Sequence, residues 1–403
     1  MQIRVQVGDF RLGEREKKAI NEVLDSGRIS EGKKVREFEQ KFAQFIGTKH
    51  CVATSSGAGA MITGLSVLKF YDALNIKNGA KVITTPLTYI ATSNSILMSG
   101  YEPVYVDVDR KRMVITPDSI KAHLESVDDT SNYKIILPVH LMGYAAEMDK
   151  INKIAKEYGM VTIEDSAQAH GTIYNGKKLG SWSLWADFSF YIAHNIQAGE
   201  MGAITTDDPE IARLSKKFKA QGRMCDCSVC TRMQGICPRM PKGEEDVDPR
   251  FTHDILGANF KPMEVQAALG LTQLEKAEWI IRKRVENVKY LNEGLAKFSD
   301  ALDLPIFSNE VSYLAYPIVI KNPKKISRKR LRKELEDKGI ETRPLFGSIP
   351  TQQPAYKEYR PQYEGKLPNA EYLGLNAFYI GIHQYLTQDD LDYVVKSFSE
   401  ILR

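Results

Sequence analysis

The first two-thirds of this chain alternates short apolar strands with amphipathic helices. That alternation restricts it to a mostly parallel sheet covered by helices on both faces. Strands are expected over 51–55, 81–85, 102–106, 134–138, 160–165, 188–191 and 202–206. Helices are expected over 14–26, 34–46, 59–68, 89–99, 117–126, 148–158, 209–220 and 263–274. In the first helix Ala19, Ile20, Val23 and Leu24 recur at helical spacing, and Gly27 ends it. A long helix from about 263 to 298 leads into a smaller α+β region, where Ser327 is placed to cap a helix carrying Leu331 and Leu335. The expected division is a large domain over 1–275 and a small one over 276–403.

Composition narrows the class further. A chain of 403 residues with 43% hydrophobic and 26% charged residues is ordinary for a globular protein with a large core. A formal charge of +4 gives no case for nucleic-acid binding. The opening Met1-Gln2-Ile3-Arg4-Val5 lacks the apolar core of a secretory leader, and no apolar run is long enough to span a membrane. A cytoplasmic location is the expectation.

The cysteines are unevenly spread. Cys51 stands alone, while Cys225, Cys227, Cys230 and Cys237 fall within thirteen residues of an aperiodic stretch, 224–252. In a reducing compartment such a cluster points to metal ligation before disulfides, and a long irregular insertion needs a scaffold of this kind. Four thiolates suit zinc and iron–sulfur alike.

Three further segments carry chemistry. Ser56-Gly57-Ala58-Gly59 follows a strand and opens a helix, where backbone N–H groups meet a phosphate or simply form a turn. Asp165 ends an apolar strand, where open α/β sheets place ligands, or caps the next helix. His194 lies in Phe188-Ser189-Phe190-Tyr191-Ile192-Ala193-His194-Asn195, ahead of Gln197-Ala198-Gly199-Glu200-Met201-Gly202.

With Glu164-Asp165-Ser166-Ala167-Gln168-Ala169-His170-Gly171 and Gly257-Ala258-Asn259-Phe260, these segments resemble the DegT-type sugar aminotransferase family of pyridoxal-phosphate enzymes, over nearly the whole chain. The resemblance implies a type I aminotransferase fold, with a mostly parallel mixed sheet and a small C-terminal α+β domain. It implies Ser56, Gly57, Ala58 and Ser189 at the cofactor phosphate, Asp165 at the pyridine nitrogen, Gln168 nearby and Tyr89 stacked on the ring. It also implies a homodimer in which Asn259 reaches the neighbouring subunit's phosphate. Two lesser departures from the family pattern are Ala58 in place of the usual hydroxyl residue and Leu184 in place of an aspartate.

The largest departure is His194, which stands where the family has its Schiff-base lysine. An imidazole cannot form an imine with an aldehyde, but it can move protons. With the four cysteines, this is similar to the branch of CDP-4-keto-6-deoxy-D-glucose 3-dehydratases, which holds a [2Fe–2S] cluster. The resemblance implies that pyridoxamine phosphate condenses with the C4 ketone of a nucleotide-linked sugar, and that His194 takes a proton from the cofactor. The C3 hydroxyl then leaves, and a reductase or ferredoxin supplies two electrons through the cluster. Two rival expectations stand beside it: a cluster-free, glutamate-regenerated 3-dehydratase whose cysteines bind zinc, and a catalytically silent binding protein. An ordinary aminotransferase is excluded by the missing lysine, since Lys177 and Lys178 lie in another loop.

Overall fold

The computed structural model describes residues 3–227, 229–231, 234, 237, 239–240 and 247–402, so parts of the expected insertion lie outside the described residues. The elements, in chain order, are α1 (Glu14–Asp25), α2 (Lys33–Ile46), β1 (His50–Thr54), α3 (Gly57–Val67), β2 (Lys81–Thr84), α4 (Ile90–Met98), β3 (Glu102–Tyr105) and α5 (Pro117–Glu125). Then come β4 (Tyr133–Leu137), α6 (Met148–Glu157), β5 (Val161–Thr162), β6 (Glu164–Asp165) and a hairpin of β7 (Ile173–Tyr174) and β8 (Lys177–Lys178). β9 (Ala186–Ser189), β10 (Gly202–Thr206) and α7 (Pro209–Phe218) follow.

Strands β3-β2-β4-β5 run parallel, and β1-β10-β9-β6 continue beside them. Ile163 N–H donates to the Ile136 carbonyl at 3.0 Å and Val139 pairs with Asp165, which joins the two sets. β10 alone is antiparallel, to β1 on one side and β9 on the other. The expected strand over 160–165 is thus two pieces, because β5 pairs with β4 while β6 pairs with β9.

The expected helix over 263–298 is also two. α8 (Glu264–Leu274) buries Ala267, Ala268 and Leu271 toward α1 and α2, whereas α9 (Ala277–Leu295) buries Val288, Leu291 and Leu295 in a different cluster. Between them Lys276 leaves helical geometry and its Nζ reaches Glu16 at 2.5 Å. The buried Glu264 carboxylate accepts from the N–H groups of Gly32, Lys34 and Val35, capping α2 from far along the chain.

Beyond α9, a second, antiparallel sheet has the order β11 (Leu302–Asp303), β12 (Tyr316–Ile320), β14 (Ala377–Ile380), β13 (Thr342–Pro344). It is covered by α10 (Arg328–Asp337) and α12 (Pro368–Asn376), while α13 (Gln388–Ile401) packs on α9 and α10, and α11 (Arg360–Tyr363) reaches Tyr105 of β3 through Tyr363. Ser327 Oγ caps α10 through Arg330 N–H at 3.2 Å, with Leu331 and Leu335 buried as their spacing predicts. No described helix is long and apolar enough to cross a membrane.

Candidate active site

β1, β6 and β9 are mutually parallel, so the loops after them meet at one edge of the sheet, where ligands of α/β proteins bind. After β1, Ser56 is the N-cap of α3, and its Oγ accepts from Gly59 N–H at 3.0 Å. The N–H groups of Gly57 and Ala58, first in the helix, have no intrahelical partner and present the positive end of its dipole. A Cβ on Gly57 would lie 2.6 Å from the Ser189 Cβ, and one on Gly202 would lie 2.2 Å from the Ser56 carbonyl oxygen. The glycines are there because the phosphate turn, β9 and β10 approach this closely. The Ala58 methyl faces solvent. The residues fit a phosphate held by backbone amides and by the half-buried Ser189 hydroxyl.

Asp165 ends β6 and is buried. Its Oδ2 accepts from Thr92 Oγ1 at 2.7 Å and its Oδ1 from Ala167 N–H at 3.2 Å. Burial still outweighs these bonds and the nearby His140, leaving the carboxyl above its ordinary range. Among the described residues it has no ion-pair partner, and a pyridinium would supply the missing cation. Its neighbour Glu164 points the other way and is structural. Burial pushes that carboxyl up, but His140, Gly180 N–H and Ser183 Oγ hold it below the usual range. His140 accepts Ala146 N–H on Nδ1 at 3.2 Å, so its Nε2 is the donor to Glu164. Fully buried and bonded in this way, His140 is a core residue.

His194 sits in the loop from β9 to β10. Its N–H closes a turn on the Tyr191 carbonyl at 2.9 Å, Gln197 holds the Ile192 carbonyl at 2.5 Å, and Asn195 holds the Ser312 carbonyl at 2.7 Å. The imidazole is half-buried, 6.1 Å from the His170 ring, with its Nδ1 unbonded among the described residues. Burial pushes it down to about 4; a hydrogen bond with the Ser189 backbone opposes this, and the buried Arg284 adds to it. At neutral pH the ring is therefore neutral and able to accept a proton.

The remaining expected residues are more dispersed. Tyr89 is the N-cap of α4, 61% exposed, its ring 5.8 Å from Phe346. Gln168 is buried and accepts Met142 N–H at 2.9 Å. Asn259 is exposed; the next residue, Phe260, holds Ser55 N–H at 2.7 Å and lays its ring on Gly59. Thr92, Glu164, Asp187 and Arg284 are structural participants that sequence reasoning missed, since only strand register and helix packing reveal them.

The cysteines occupy another groove, of about 330 Å³, where Cys225, Cys227 and Cys230 lie among Arg223, Arg250 and Lys261. Burial, and then Cys225 beside it, push the Cys227 thiol up. Cys237 does not line this groove, and among the described residues no three His, Cys, Asp or Glu side chains converge as a metal site. The expected ligand set Cys225, Cys227, Cys230 and Cys237 is therefore not assembled in this arrangement, in which Arg239 ties down the intervening Asp226 at 2.7 Å. As placed, these residues do not fit a four-thiolate centre.

The model of the DegT/DnrJ/EryC1/StrS aminotransferase family matches residues 11–399. The chain belongs to this family. Among its relatives in the DegT/DnrJ/EryC1/StrS family, the lipopolysaccharide biosynthesis protein RfbH of Salmonella typhimurium is 33% identical over 399 residues, covering 96% of this chain and 90% of RfbH. The GDP-4-keto-6-deoxy-D-mannose 3-dehydratase of Escherichia coli O55:H7 is 31% identical over 382 residues, covering 94% and 95%. The solved structure of the E. coli GDP-4-keto-6-deoxy-D-mannose-3-dehydratase with bound hydrated PLP superposes with a TM-score of 0.85 at 28% identity, covering 98% of this chain and all of that one. The fold is the α/β fold of such pyridoxal-phosphate enzymes.

Proposed function

We propose that this chain is a pyridoxamine-phosphate-dependent 3-dehydratase acting on a nucleotide-linked 4-keto-6-deoxyhexose. One observation carries the reading: a neutral histidine, His194, occupies the loop beside the phosphate turn and the buried Asp165. The dehydratases among the relatives support it. Bound pyridoxamine phosphate supplies an amine for the sugar ketone and a ring that accepts electrons. The α3 amides and Ser189 hold the phosphate, Asp165 keeps the ring nitrogen protonated, Tyr89 and Gln168 border the ring, and Asn259 serves the partner subunit of a homodimer. His194 takes the proton from C4′ of the cofactor as the C3–O bond breaks and hydroxide leaves. In this reading residues 1–275 carry the cofactor and 276–403 close over the sugar.

The electron supply is the finer part of the proposal. Three thiols on one cationic groove support a metal-loaded form, a [2Fe–2S] centre fed by a reductase or ferredoxin. No step is derived through it, because the four thiols do not converge. That same observation favours a second reading, a cluster-free enzyme that regenerates its cofactor with glutamate; the expected zinc on its cysteines has no more support from their placement than the cluster has. The deciding test follows loss of the C3 hydroxyl from a nucleotide-linked 4-keto-6-deoxyhexose with pyridoxamine phosphate present, and records the visible spectrum of anaerobically purified protein before and after dithionite. Turnover with a bleaching chromophore supports the first reading. Turnover with glutamate in a colourless protein supports the second. No turnover under either regime overturns both and leaves a binding protein.

A further inference from the structure

β6 and β9 lie parallel with Asp165 directly opposite Asp187, so the two side chains share one face of the sheet. Both residues are buried, at 7% and 2% exposure. By strand alternation Asp187 also shares its face with Ser189, two residues on, at the phosphate turn. The elements packed over this face carry no countercharge. α3 reads GAGAMITGLSV and α4 reads IATSNSILM, with no titratable side chain in either. On the other side, β10 offers Ile204 to Asp187. The groups that face the pair are Asp165 and Asp187 themselves, with His140 behind Asp165.

Two carboxylates side by side without a cation cannot both stay ionised in such surroundings; they share a proton. Geometry also says which one keeps it. Asp165 receives two donors, from Thr92 and Ala167, which favour its anion. Asp187 Oδ1 has no hydrogen-bond partner among the described residues. We propose that Asp165 and Asp187 form a carboxylate–carboxylic acid pair holding one proton between them, with Asp187 the neutral positioning residue that leaves Asp165 as the single anion under the ring site. The pair itself is independent of the cofactor reading; its consequence, one net negative charge facing the pyridine nitrogen, rests on that reading.

The infrared spectrum of the full-length, cofactor-free protein at neutral pH tests the pair. The expected result is the carbonyl band of a protonated carboxylic acid that shifts in D2O and disappears in Asp187→Asn, while the carboxylate bands stay in place. Wild-type protein without such a band overturns the proposal with no variant needed, and so does an Asp187→Asn protein that loses a carboxylate band instead. A second readout is thermal stability against pH. A carboxyl raised in the folded state binds more protons there than when unfolded, so stability falls as pH rises out of the ordinary carboxyl range. The melting curves of wild type and Asp187→Asn should coincide in acid and diverge toward neutrality, with the variant higher. A lower-melting variant at neutral pH, with no divergence, overturns the assignment. Failure of pyridoxamine phosphate to bind would count against the cofactor reading and leave the band untouched.

Discussion

Thr92 Oγ1 donates to Asp165 Oδ2 at 2.7 Å, so a single hydrogen bond ties α4 to the end of β6. Tyr89, the N-cap of α4, is thereby held one turn from the acid that faces the proposed ring nitrogen. Thr92→Val keeps the shape and removes the donor from a buried carboxyl, a change worth about 1–3 kcal/mol. Cofactor affinity should fall about tenfold, read by absorbance titration with pyridoxamine phosphate. Unchanged affinity in a folded variant would show that the bond does not support the site.

Gly57→Ala probes the close approach of the phosphate turn. Its new Cβ would lie 2.6 Å from Ser189 Cβ, so β9 or α3 must shift. Cofactor binding should weaken by about tenfold or more, with a smaller loss of thermal stability. Ala58→Gly, whose methyl faces solvent, should bind nearly as wild type does.

For His194 the expected separation is between binding and turnover. His194→Asn should keep cofactor affinity within about twofold and lose roughly 10²–10⁴ in dehydration rate, the usual share of a positioned base. His194→Lys should restore a borohydride-reducible covalent adduct, detected by mass spectrometry of the intact chain. Equal turnover by His194→Asn and wild type would remove histidine from the chemistry.

His194 and His383 are both pushed down to about 4, chiefly by burial. The folded chain then binds fewer protons at these rings than the unfolded chain does between about 4 and the ordinary histidine value of about 6.5. Their stabilising contribution is therefore complete above about 6.5 and is lost as pH falls toward 4. Each ring accounts for about 1–3 kcal/mol on that limb, with His194 at the lower end because it is only half-buried. Urea melts at pH 7 and pH 4.5 should show His383→Asn losing less stability on acidification than wild type. A parallel loss in both proteins would contradict this.

Much of the frame was legible because periodicity is local. The β10 boundaries were read directly, and most strands of the large sheet came within a residue or two. What failed depended on partners far along the chain. The 160–165 run divides because its two halves have different neighbours, and the helix from 263 divides because its two halves bury into different clusters. Ser56, Gly57 and Asp165 were readable as candidates from their place at strand ends, and His194 only from the resemblance to the family. Asp187 was not, since nothing in Ala186-Asp187-Phe188 tells which face its carboxyl takes until register sets it opposite Asp165. The cysteines show the converse: proximity in sequence did not translate into convergence in space.

The loop from β9 to β10 joins two antiparallel neighbours and is fastened at Tyr191, Ile192 and Ser312 by bonds that do not involve the His194 side chain. Under the proposed function, the residue that selects the reaction rides on a loop whose shape is set by others. The phosphate turn and the ring acid belong to other strands, β1 and β6, and only Ser189 shares β9 with the loop. On that proposed reading, a fold arranged this way can exchange an amine for an imidazole by changing one codon's meaning in the loop and keep the phosphate turn and the acid in place, which makes reaction type its most easily altered property and cofactor grip its most conservative.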